Sequence, residues 1–364
     1  MAVERFVSAK ANPDLDQRNW SLRPTRMSEY IGQPDLIERL GITIKAVRER
    51  KEPMEHVLLH GPPGLGKTTL AYVIAQEMGA RVHTTSGPAL TRGTDLVSAL
   101  TRLEANDVLF IDEIHRLPIA VEEFIYPAME DYRIDVPVDS GLSARTVQIK
   151  LKPFTLIGAT TRAGLVSAPL RSRFGVTHHL RFYSPEELHA ILSRSCGLLG
   201  VEAEPGGAGG GVASTNGATR PDAPGALDLI SRRSRGTPRI ANRLLRRVRD
   251  YSQVKGDGRI SATMVARGLA LEGVDELGLD EIDRTYLKTI AGTYDGGPVG
   301  LEAVAATMNE DAGTLEDVVE PYLLQIGFLA RTRRGRMLTR AGADHVGMPS
   351  AYGKAGPEDS PLFS

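Results

Sequence analysis

Short apolar runs alternate with helix-type patterns over the first half of the chain. The runs at 56–60, 108–111 and 154–157 have the length of strands, and each ends in polar residues. After the first run, residues 68–78 repeat apolar positions at helical spacing and precede Gly79, a typical helix C-terminal signal. This order predicts an α/β fold with a parallel sheet and flanking helices, whose functional groups collect at the carboxyl ends of the strands.

Three further sequence patterns lie between or after the predicted strands and helix. Apolar and polar residues alternate on both sides of 139–141, which predicts a hairpin over 132–152. From Ser184 the pattern is helical, and the sequence Ser-Pro-Glu-Glu predicts a capped helix start. Residues 204–225 hold seven Gly and three Pro and predict a Gly-rich insertion within a helical domain.

The last part of the chain has the order expected of a winged helix. Three helix-type segments at 281–292, 301–308 and 314–326 precede two short apolar runs around a turn at 333–335. If the third segment read the major groove, its exposed face should carry Arg, Asn or Gln, but acidic residues, including Glu320, occupy that predicted face.

Four basic residues of this domain cluster in the predicted wing. They are Arg331, Arg333, Arg334 and Arg336. This arrangement favours contacts with a nucleic-acid backbone without sequence specificity. The alternative is that the wing is a charged hairpin that only aids solubility.

Residues 61–68 read GPPGLGKT and match the phosphate-binding pattern G-x-x-x-x-G-K-[ST]. The glycines let the backbone wrap around phosphates and aim its N–H groups inward at a helix N-terminus. Lys67 is predicted to neutralise the β- and γ-phosphates of ATP, and the Thr68 hydroxyl to hold Mg²⁺. A predicted strand before the loop and a predicted helix after it provide the required context.

Asp112 and Glu113 follow an apolar strand after this loop. We predict that Asp112 orients hydrated Mg²⁺ and that Glu113 polarises the attacking water. His115 has no second His or Cys at metal-binding spacing, so we favour a structural or coupling role for it. Thr161 ends the next strand, where a polar side chain can reach the γ-phosphate or the water.

The arginines beyond the sheet allow two interpretations. Arg171 and Arg173 are either surface ion-pairing residues or part of an active site, and spacing alone does not assign them to their own loop. Arg239 lies in the first turn of a predicted helix, where the helix dipole disfavours a cation, so an anionic partner is indicated.

The charge of the chain is near zero in total but uneven along it. The formal net charge is −1, yet residues 231–256 carry +8 and 328–340 carry +5, which leaves −14 on the rest. A uniformly basic coat is thereby excluded, whereas local basic sites are not. The single cysteine, Cys196, excludes a disulfide framework. No apolar run is long enough to span a membrane, and the N-terminus lacks a secretory pattern, so a cytoplasmic location is expected.

From about residue 20 to 346 the chain resembles the RuvB family, the bacterial Holliday-junction branch-migration motors of the AAA+ class. The segments that carry the resemblance are GPPGLGKTTLA (61–71), LFIDEIHRL (109–117), YPAMEDYRID (126–135), TLIGATTRAG (155–164), PLRSRFG (169–175), RGTPRIANRLLRRVRD (235–250), GGPVGL (296–301), EPYLLQIGFL (320–329) and RTRRGRM (331–337). The first two segments specify only an ATPase, whereas 235–250 and the terminal segments are specific to this family.

The resemblance implies a role for each matching residue. Thr161 would be sensor 1, Arg173 the arginine finger that enters the neighbouring subunit's site, and Arg239 sensor 2. The positions expected around the nucleotide are Leu22, Arg23, Gly64, Lys67, Thr68, Thr69, Glu130, Asp131, Tyr132, Arg173, Tyr183 and Arg239, and those expected on DNA are Arg331, Arg334 and Arg336.

It also implies a domain plan and a set of partners. The plan is an AAA+ ATPase domain at 1–182, a helical lid at 183–256 with the insertion, a winged helix at 257–346 and a disordered tail at 347–364. The expected partners are double-stranded DNA at Holliday junctions, a RuvA-like junction-binding protein at hairpin 132–152, a RuvC-like resolvase indirectly, and further copies of the chain in a hexamer. The expected activity is branch migration in homologous recombination and DNA repair, driven by ATP and Mg²⁺.

Two departures and two rival functions stand beside this expectation. The segment 204–225 is longer than the usual connection, and Ala312 stands where family members often have a basic residue. One rival is an AAA+ clamp loader or protein remodeller, and the other is a nucleotide-switched DNA-binding module without productive hydrolysis. DNA-stimulated ATP hydrolysis separates the first rival, and steady-state ATP hydrolysis the second.

Overall fold

The computed structural model describes residues 22–137, 146–206 and 224–349. Within these ranges the chain forms two compact units, Leu22–Tyr183 and the part from Ser184 onward. No helix of the described ranges is long and apolar enough to cross a bilayer. Most of the predicted insertion and tail, and the tip of the predicted hairpin, lie outside the described residues.

The first unit is built on a parallel five-stranded sheet. Its strands are β1 (Val57–His60), β2 (Val82–Ser86), β3 (Val108–Asp112), β6 (Thr155–Thr160) and β7 (Val176–His179). Their order across the sheet is β2–β3–β6–β1–β7, and every pairing is parallel. The α/β class predicted from the sequence is therefore confirmed. The central strands β1, β3 and β6 are almost entirely buried, as their continuous apolar runs predict.

Helices accompany these strands. They are α1 (Pro34–Arg50), α2 (Lys67–Met78), α3 (Gly93–Thr101), α4 (Ile119–Asp131) and the short α5 (Ala168–Arg171). Helix α2 ends at Gly79, whose φ of 70° gives the left-handed cap that the sequence predicts. Leucines and isoleucines from α3 and α4 pack with the sheet in one continuous apolar cluster.

The predicted hairpin is present as an antiparallel pair directly after α4. It consists of β4 (Arg133–Pro137) and β5 (Thr146–Lys150), with Arg133 opposite Lys150 and Val136 opposite Val147. Because α4 leads directly into β4, the hairpin is attached to the sheet domain through this helix.

Four helices begin the second unit. They are α6 (Pro185–Leu199), α7 (Ala226–Arg232), α8 (Pro238–Lys255) and α9 (Ala262–Leu271). The predicted cap of α6 is present, since the Ser184 hydroxyl accepts from Glu187 N and the Glu187 carboxylate from Ser184 N. Thr237 precedes α8 but makes no side-chain cap, and its hydroxyl donates to Ser234 O at 3.3 Å.

The winged helix follows in the order predicted from the sequence. Its elements are α10 (Glu281–Thr293), α11 (Leu301–Met308), α12 (Ala312–Thr314), a π-helical turn (Leu315–Val319), α13 (Glu320–Gln325), β8 (Leu329–Thr332), β9 (Gly335–Leu338) and α14 (Arg340–His345). Strands β8 and β9 pair antiparallel, with Arg331 opposite Arg336. Apolar side chains from the helices and both strands share one core.

A buried ion pair joins the helical part of this unit to the winged helix. Arg235, only 3% exposed, donates through Nε to Gly278 O at 2.7 Å and through its terminal nitrogens to the fully buried Asp283. Its guanidinium also lies over the ring of Tyr322, 5.6 Å from the centroid. Arg235 immediately precedes the Gly-Thr-Pro start of α8, so this contact fixes the beginning of α8 against α10.

We expect Asp283→Ala to lower the free energy of local unfolding around α10 by about 3–5 kcal/mol, because it leaves the Arg235 charge buried without its main partner. Hydrogen exchange of the α10 amides, followed by mass spectrometry, measures this loss. The control is Asp344→Ala, which removes an exposed pair 3.9 Å from Arg340 and should cost less than about 1 kcal/mol. Equal losses in the two variants would contradict a dominant role for the buried pair.

Candidate nucleotide site and wing

The loop between β1 and α2 has the backbone geometry of a phosphate cradle. Gly61, Gly64 and Gly66 have φ angles of 142°, 82° and 94°, which side-chain-bearing residues rarely adopt. A Cβ on Gly61 would also lie 2.6 Å from Leu180 O. Glycine is thus required here both by conformation and by space. The loop ends at α2, so the first N–H groups of that helix point back toward the loop.

Lys67 is held at the start of α2 by the loop itself. Its Nζ donates to Gly61 O at 2.7 Å and to Pro62 O at 2.9 Å, and the residue is 7% exposed. Thr68 and Thr69 follow it in the first turn of α2. Two carbonyl oxygens of the loop thus bind the ammonium group of Lys67. A bound phosphate would take their place as its partner.

Two tyrosines lie next to this loop, and their hydroxyl groups are within hydrogen-bond distance of each other. Tyr183 donates its hydroxyl to Leu65 O at 3.2 Å, and the hydroxyl of Tyr30 lies 3.1 Å from that of Tyr183. Burial, together with the neighbouring Tyr183, raises the pKa of Tyr30 well above its usual value. Tyr183 was predicted at the nucleotide, whereas Tyr30 lies in no motif and was missed. Leu22, also predicted there, is buried at 5% exposure.

The acidic pair lies at the end of β3, on the same sheet edge as the loop. Asp112 is the last residue of the strand, and Glu113 adopts φ 47° directly after it. Glu113 Oε2 accepts from the Thr161 hydroxyl at 3.2 Å and lies 3.2 Å from His115 Nδ1. His115 also lies 2.9 Å from the Thr160 hydroxyl. The structure therefore brings Glu113, which is predicted to polarise the attacking water, together with Thr161, the predicted sensor 1. His115 lies next to Glu113 and Thr160.

The donor set at this edge suits Mg²⁺. A carboxylate from Asp112 and a hydroxyl from Thr68 are oxygen ligands of the kind that Mg²⁺ takes together with phosphate oxygens and water. Among the described residues, no group of three or more His, Cys, Asp or Glu side chains could form an all-protein metal cage. The donor chemistry of Asp112 and Thr68 thus fits Mg²⁺.

Arg173 lies against α4 of its own chain. Its guanidinium is 4.3 Å from the centroid of Tyr126, its Nη1 donates to Pro169 O at 2.7 Å, and its Nε is 3.1 Å from Glu130 Oε1. Arg171, in contrast, donates to the carbonyls of Ala163 and Val166. The two arginines left open by the sequence therefore have different surroundings.

The remaining predicted nucleotide residues lie in three places. Asp131 and Tyr132 follow Glu130 at the end of α4, where Asp131 pairs with Arg133 at 3.1 Å. Arg23 lies next to Leu22 in the first unit and is half-buried. Arg239 lies in the first turn of α8, in the second compact unit.

The wing corrects one expectation from the sequence. Glu320 was expected on an exposed helix face, but it is fully buried. The π-helical turn before it has a wider hydrogen-bonding spacing than an α-helix, which rotates the following residues and turns Glu320 inward. It accepts from Arg331 Nε and Arg336 Nε, each at 2.9 Å, and from the Tyr286 hydroxyl at 2.6 Å.

This cluster changes the expected role of two wing arginines. Burial acts to raise the pKa of Glu320, but its bonds with Arg336, Tyr286 and Arg331 outweigh burial and leave the pKa below its usual value. The carboxylate is therefore ionised and neutralises part of the wing. Arg331 and Arg336 hold the hairpin against α13, while Arg333 and Arg334 lie exposed at its turn.

Taken together, the glycine-rich loop with its lysine, the acidic pair bonded to Thr161, the helical domain and the winged helix define a P-loop ATPase with an attached winged helix. Family models match all three parts. They are the Holliday junction DNA helicase RuvB P-loop domain over residues 22–180, the RuvB AAA lid domain over 218–275 and the RuvB C-terminal winged helix domain over 276–347.

The similarity to known proteins extends over nearly the whole chain. The Holliday junction branch migration complex subunit RuvB of Dehalococcoides mccartyi is 53% identical over 346 residues, which cover 95% of this chain and 94% of that protein. The solved structure of the Thermotoga maritima RuvB Holliday junction branch migration motor superposes with a TM-score of 0.78 at 48% identity and covers 90% of this chain and 98% of that one. A variant of the same motor gives a TM-score of 0.79 at 48% identity, with 89% and 98% covered. The chain belongs to the RuvB family, as the resemblance predicted, and is an ATP-driven P-loop motor.

The lowered pKa of Glu320 predicts an acid-sensitive winged helix. A carboxyl whose pKa is depressed by folding contributes stability above its ordinary value of 4.5, and this contribution is lost as the pH falls through the folded value. Glu320→Gln should therefore be less stable than the parent protein at pH 7, and the difference in melting temperature should shrink below about pH 4.5.

Thermal unfolding followed by circular dichroism from pH 7 to pH 3 measures this difference. Glu316→Gln is the control, since Glu316 is partly exposed and lies 3.7 Å from Arg336. That variant should remain close to the parent protein throughout. A gap between Glu320→Gln and the parent that stays constant with pH would disprove the assignment.

Proposed function

We propose that this chain couples ATP hydrolysis to the movement of double-stranded DNA and thereby drives branch migration of Holliday junctions in recombination and repair. The observation that carries the proposal is a phosphate-binding loop, a nearby Glu113–Thr161 contact and a winged helix in one chain, in a family with a solved member named as a branch migration motor. A protein of this function acts in the cytoplasm.

The residues at the sheet edge divide the work at the nucleotide. The loop glycines, including Gly64, present N–H groups to the phosphates, and Lys67 neutralises the β- and γ-phosphate charge. Thr68 and Asp112 would hold Mg²⁺, whose charge neutralises the phosphates further. Glu113 would orient and polarise the attacking water, since Thr161 and His115 fix its carboxylate at 3.2 Å.

The site is completed by residues outside the sheet edge. The nucleotide would be surrounded by Leu22, Arg23, Thr69, Glu130, Asp131, Tyr132 and Tyr183. Arg239, in the lid, would read the γ-phosphate as sensor 2, and Arg173 would act on the nucleotide of a neighbouring subunit. A finger that acts in trans requires a ring, and six copies are expected from the family.

The division of the chain at 1–182, 183–256, 257–346 and 347–364 stays a prediction. Helix α9 packs on α7 and α8. Together with the matched lid range of 218–275, this packing favours a lid that continues past residue 256 to about 275.

The proposed function also implies a set of binding partners. We propose that the β4–β5 hairpin docks a RuvA-like junction-binding protein, and that a RuvC-like resolvase meets the complex indirectly. DNA would be bound by the wing through phosphates, without base readout. Arg333 and Arg334 at the turn would make the most direct contacts, with Arg331 and Arg336 oriented by Glu320.

Two rival functions make different demands on the chain. A clamp loader or protein remodeller has no need for a basic hairpin on a winged helix. A nucleotide-switched DNA-binding module has no need for a carboxylate held by a sensor threonine at 3.2 Å. The branch-migration motor uses both features.

The central experiment is ATP-dependent dissociation of a synthetic four-way junction, with and without a RuvA-like partner. The parent protein should dissociate the junction, and Lys67→Ala should fail because it no longer binds nucleotide. Arg173→Ala should bind ATP but hydrolyse it slower by a factor on the order of 10³, as expected for a lost arginine finger.

The matched control is Arg171→Ala, whose guanidinium contacts carbonyl oxygens of its own chain and which should retain most of the activity. Failure of the parent protein to dissociate junctions, with ATP hydrolysis intact, would favour the loader or remodeller. Normal ATP turnover by Arg173→Ala would refute the shared site.

A second experiment tests which wing arginines contact DNA and which ones hold the wing in place. Arg333→Ala/Arg334→Ala should weaken DNA binding without changing the fold and should reduce the slope of log K against log salt by about 2. Arg331→Ala should also loosen the wing, because the buried Glu320 loses one of its partners. Fluorescence anisotropy with duplex DNA at several salt concentrations measures the affinities.

The control for this experiment is Arg340→Ala, which removes one charge from a side chain 81% exposed in α14. It should change the affinity less than the double variant. Unchanged DNA binding by Arg333→Ala/Arg334→Ala at low salt would indicate that the wing turn only aids solubility.

A further inference from the structure

Helix α4 presents three polar or aromatic side chains at intervals of four residues. Glu122, Tyr126 and Glu130 therefore lie on one face of the helix. Each makes a contact toward the segment 167–173, which contains the proposed arginine finger. Tyr126 and Glu130 lie in the segment 126–135 that carries the family resemblance, whereas Glu122 lies in none of the quoted segments.

The outer end of this face holds Arg173. Its guanidinium lies 4.3 Å from the centre of the Tyr126 ring, well within the usual cation–π range of about 6 Å. Glu130 Oε1 lies 3.1 Å from Nε of the same guanidinium, and Pro169 O accepts from Nη1 at 2.7 Å. Three groups thus restrict a side chain that has many rotamers when it is free.

The inner end of the face is anchored by a buried carboxylate. Glu122 is only 4% exposed, and its Oε2 accepts from the Tyr126 hydroxyl at 2.9 Å and from the Ser167 hydroxyl at 2.5 Å. Ser167 caps α5, since its Oγ accepts from Leu170 N at 3.2 Å. One carboxylate therefore fixes both the ring under Arg173 and the start of the short helix that leads to Arg173.

We propose that Tyr126 and Glu122 are positioning residues for Arg173: the ring of Tyr126, fixed by Glu122, holds the guanidinium in one defined position on α4, from which it acts on the neighbouring subunit. This inference rests on the proposed function of Arg173 as the arginine finger. The entropy of ordering a free arginine is then lost on folding and not again in each catalytic cycle. Neither residue contacts the nucleotide of its own subunit in this role.

Tyr126→Leu is the decisive variant, because it removes the ring and keeps an apolar side chain of moderate size. Its kcat for ATP should fall about threefold to thirtyfold, the range expected for a cation–π contact, with KM nearly unchanged. Tyr126→Phe keeps the ring but loses the bond to Glu122, so its kcat should fall by a smaller factor. Steady-state ATP hydrolysis with duplex DNA present measures both parameters.

The matched control is Phe124→Leu. Phe124 is a half-buried aromatic residue of the same helix that packs beside Gly93, so its replacement perturbs α4 without touching Arg173. This variant should retain the kcat of the parent protein. A loss equal to that of Tyr126→Leu would show that general weakening of α4 lowers activity and would overturn the proposal.

A double variant tests whether Tyr126 acts through Arg173. In an Arg173→Ala background, Tyr126→Leu should cause no further loss of kcat, because the side chain that it positions is absent. Multiplied losses in the double variant would overturn the inference. Sedimentation velocity is measured in parallel, and loss of ring assembly by Tyr126→Leu would also overturn it, since the residue would then act in subunit packing.

Failure of this inference can be told apart from failure of the proposed function. If Arg173→Ala alone turns over ATP normally, then Arg173 is not a finger and the proposed function loses its shared site. If Arg173→Ala is defective while Tyr126→Leu matches the parent protein, only the positioning role is wrong.

Discussion

The parallel pairing of β1 with β6, and of β6 with β3, is the constraint on which the candidate site depends. The register sets His60 beside Thr160 and Ile111 beside Gly158, so the three strands end at one edge of the sheet. The phosphate loop, the acidic pair and Thr161 each follow one of these strand ends. A register shift of one residue in β3 would turn Asp112 to the opposite face of the sheet. Catalytic geometry is in this sense a consequence of backbone hydrogen bonds between buried apolar strands.

Three buried carboxylates connect the elements that surround this edge and the wing. Glu122 holds Tyr126 and Ser167, Asp283 holds Arg235, and Glu320 holds two wing arginines. A buried carboxylate held by ion pairs or by hydroxyl donors adds little net stability compared with apolar packing, yet its bonds are costly to break and strict in geometry. Such carboxylates therefore suit places where one segment has to keep a fixed orientation relative to another. Each carboxylate here orients a segment that we assign to the motor: the finger, the start of the sensor 2 helix, or the wing.

The sequence predicted the parts whose physics is local. Strands β1, β3 and β6 are buried on both faces and appear as continuous apolar runs, and the glycine-rich loop carries its geometry in its own residues. Strands β2 and β7 had no such signal, because they lie at the sheet edges and are mostly half-buried and polar. The roles of Tyr30 and of Tyr126, whose ring contacts Arg173, were not predicted from the sequence, because their contacts join residues that are distant along the chain. The inward position of Glu320 depends on a π-helical turn that periodicity at 3.6 residues does not represent.

The wing shows why a count of charges overstates a DNA-binding surface. Five arginines occur between residues 328 and 340, but Arg331 and Arg336 pair with Glu320, and Arg340 lies 3.9 Å from Asp344. The two arginines at the turn, Arg333 and Arg334, are exposed and lie at the tip of the hairpin. Affinity for DNA without sequence preference grows with the number of phosphates neutralised, and so does its loss with salt. A motor that moves along a duplex has to release each contact that it makes. A small basic turn on a rigid hairpin meets that requirement better than a wide basic face, because few counterions are exchanged at each step.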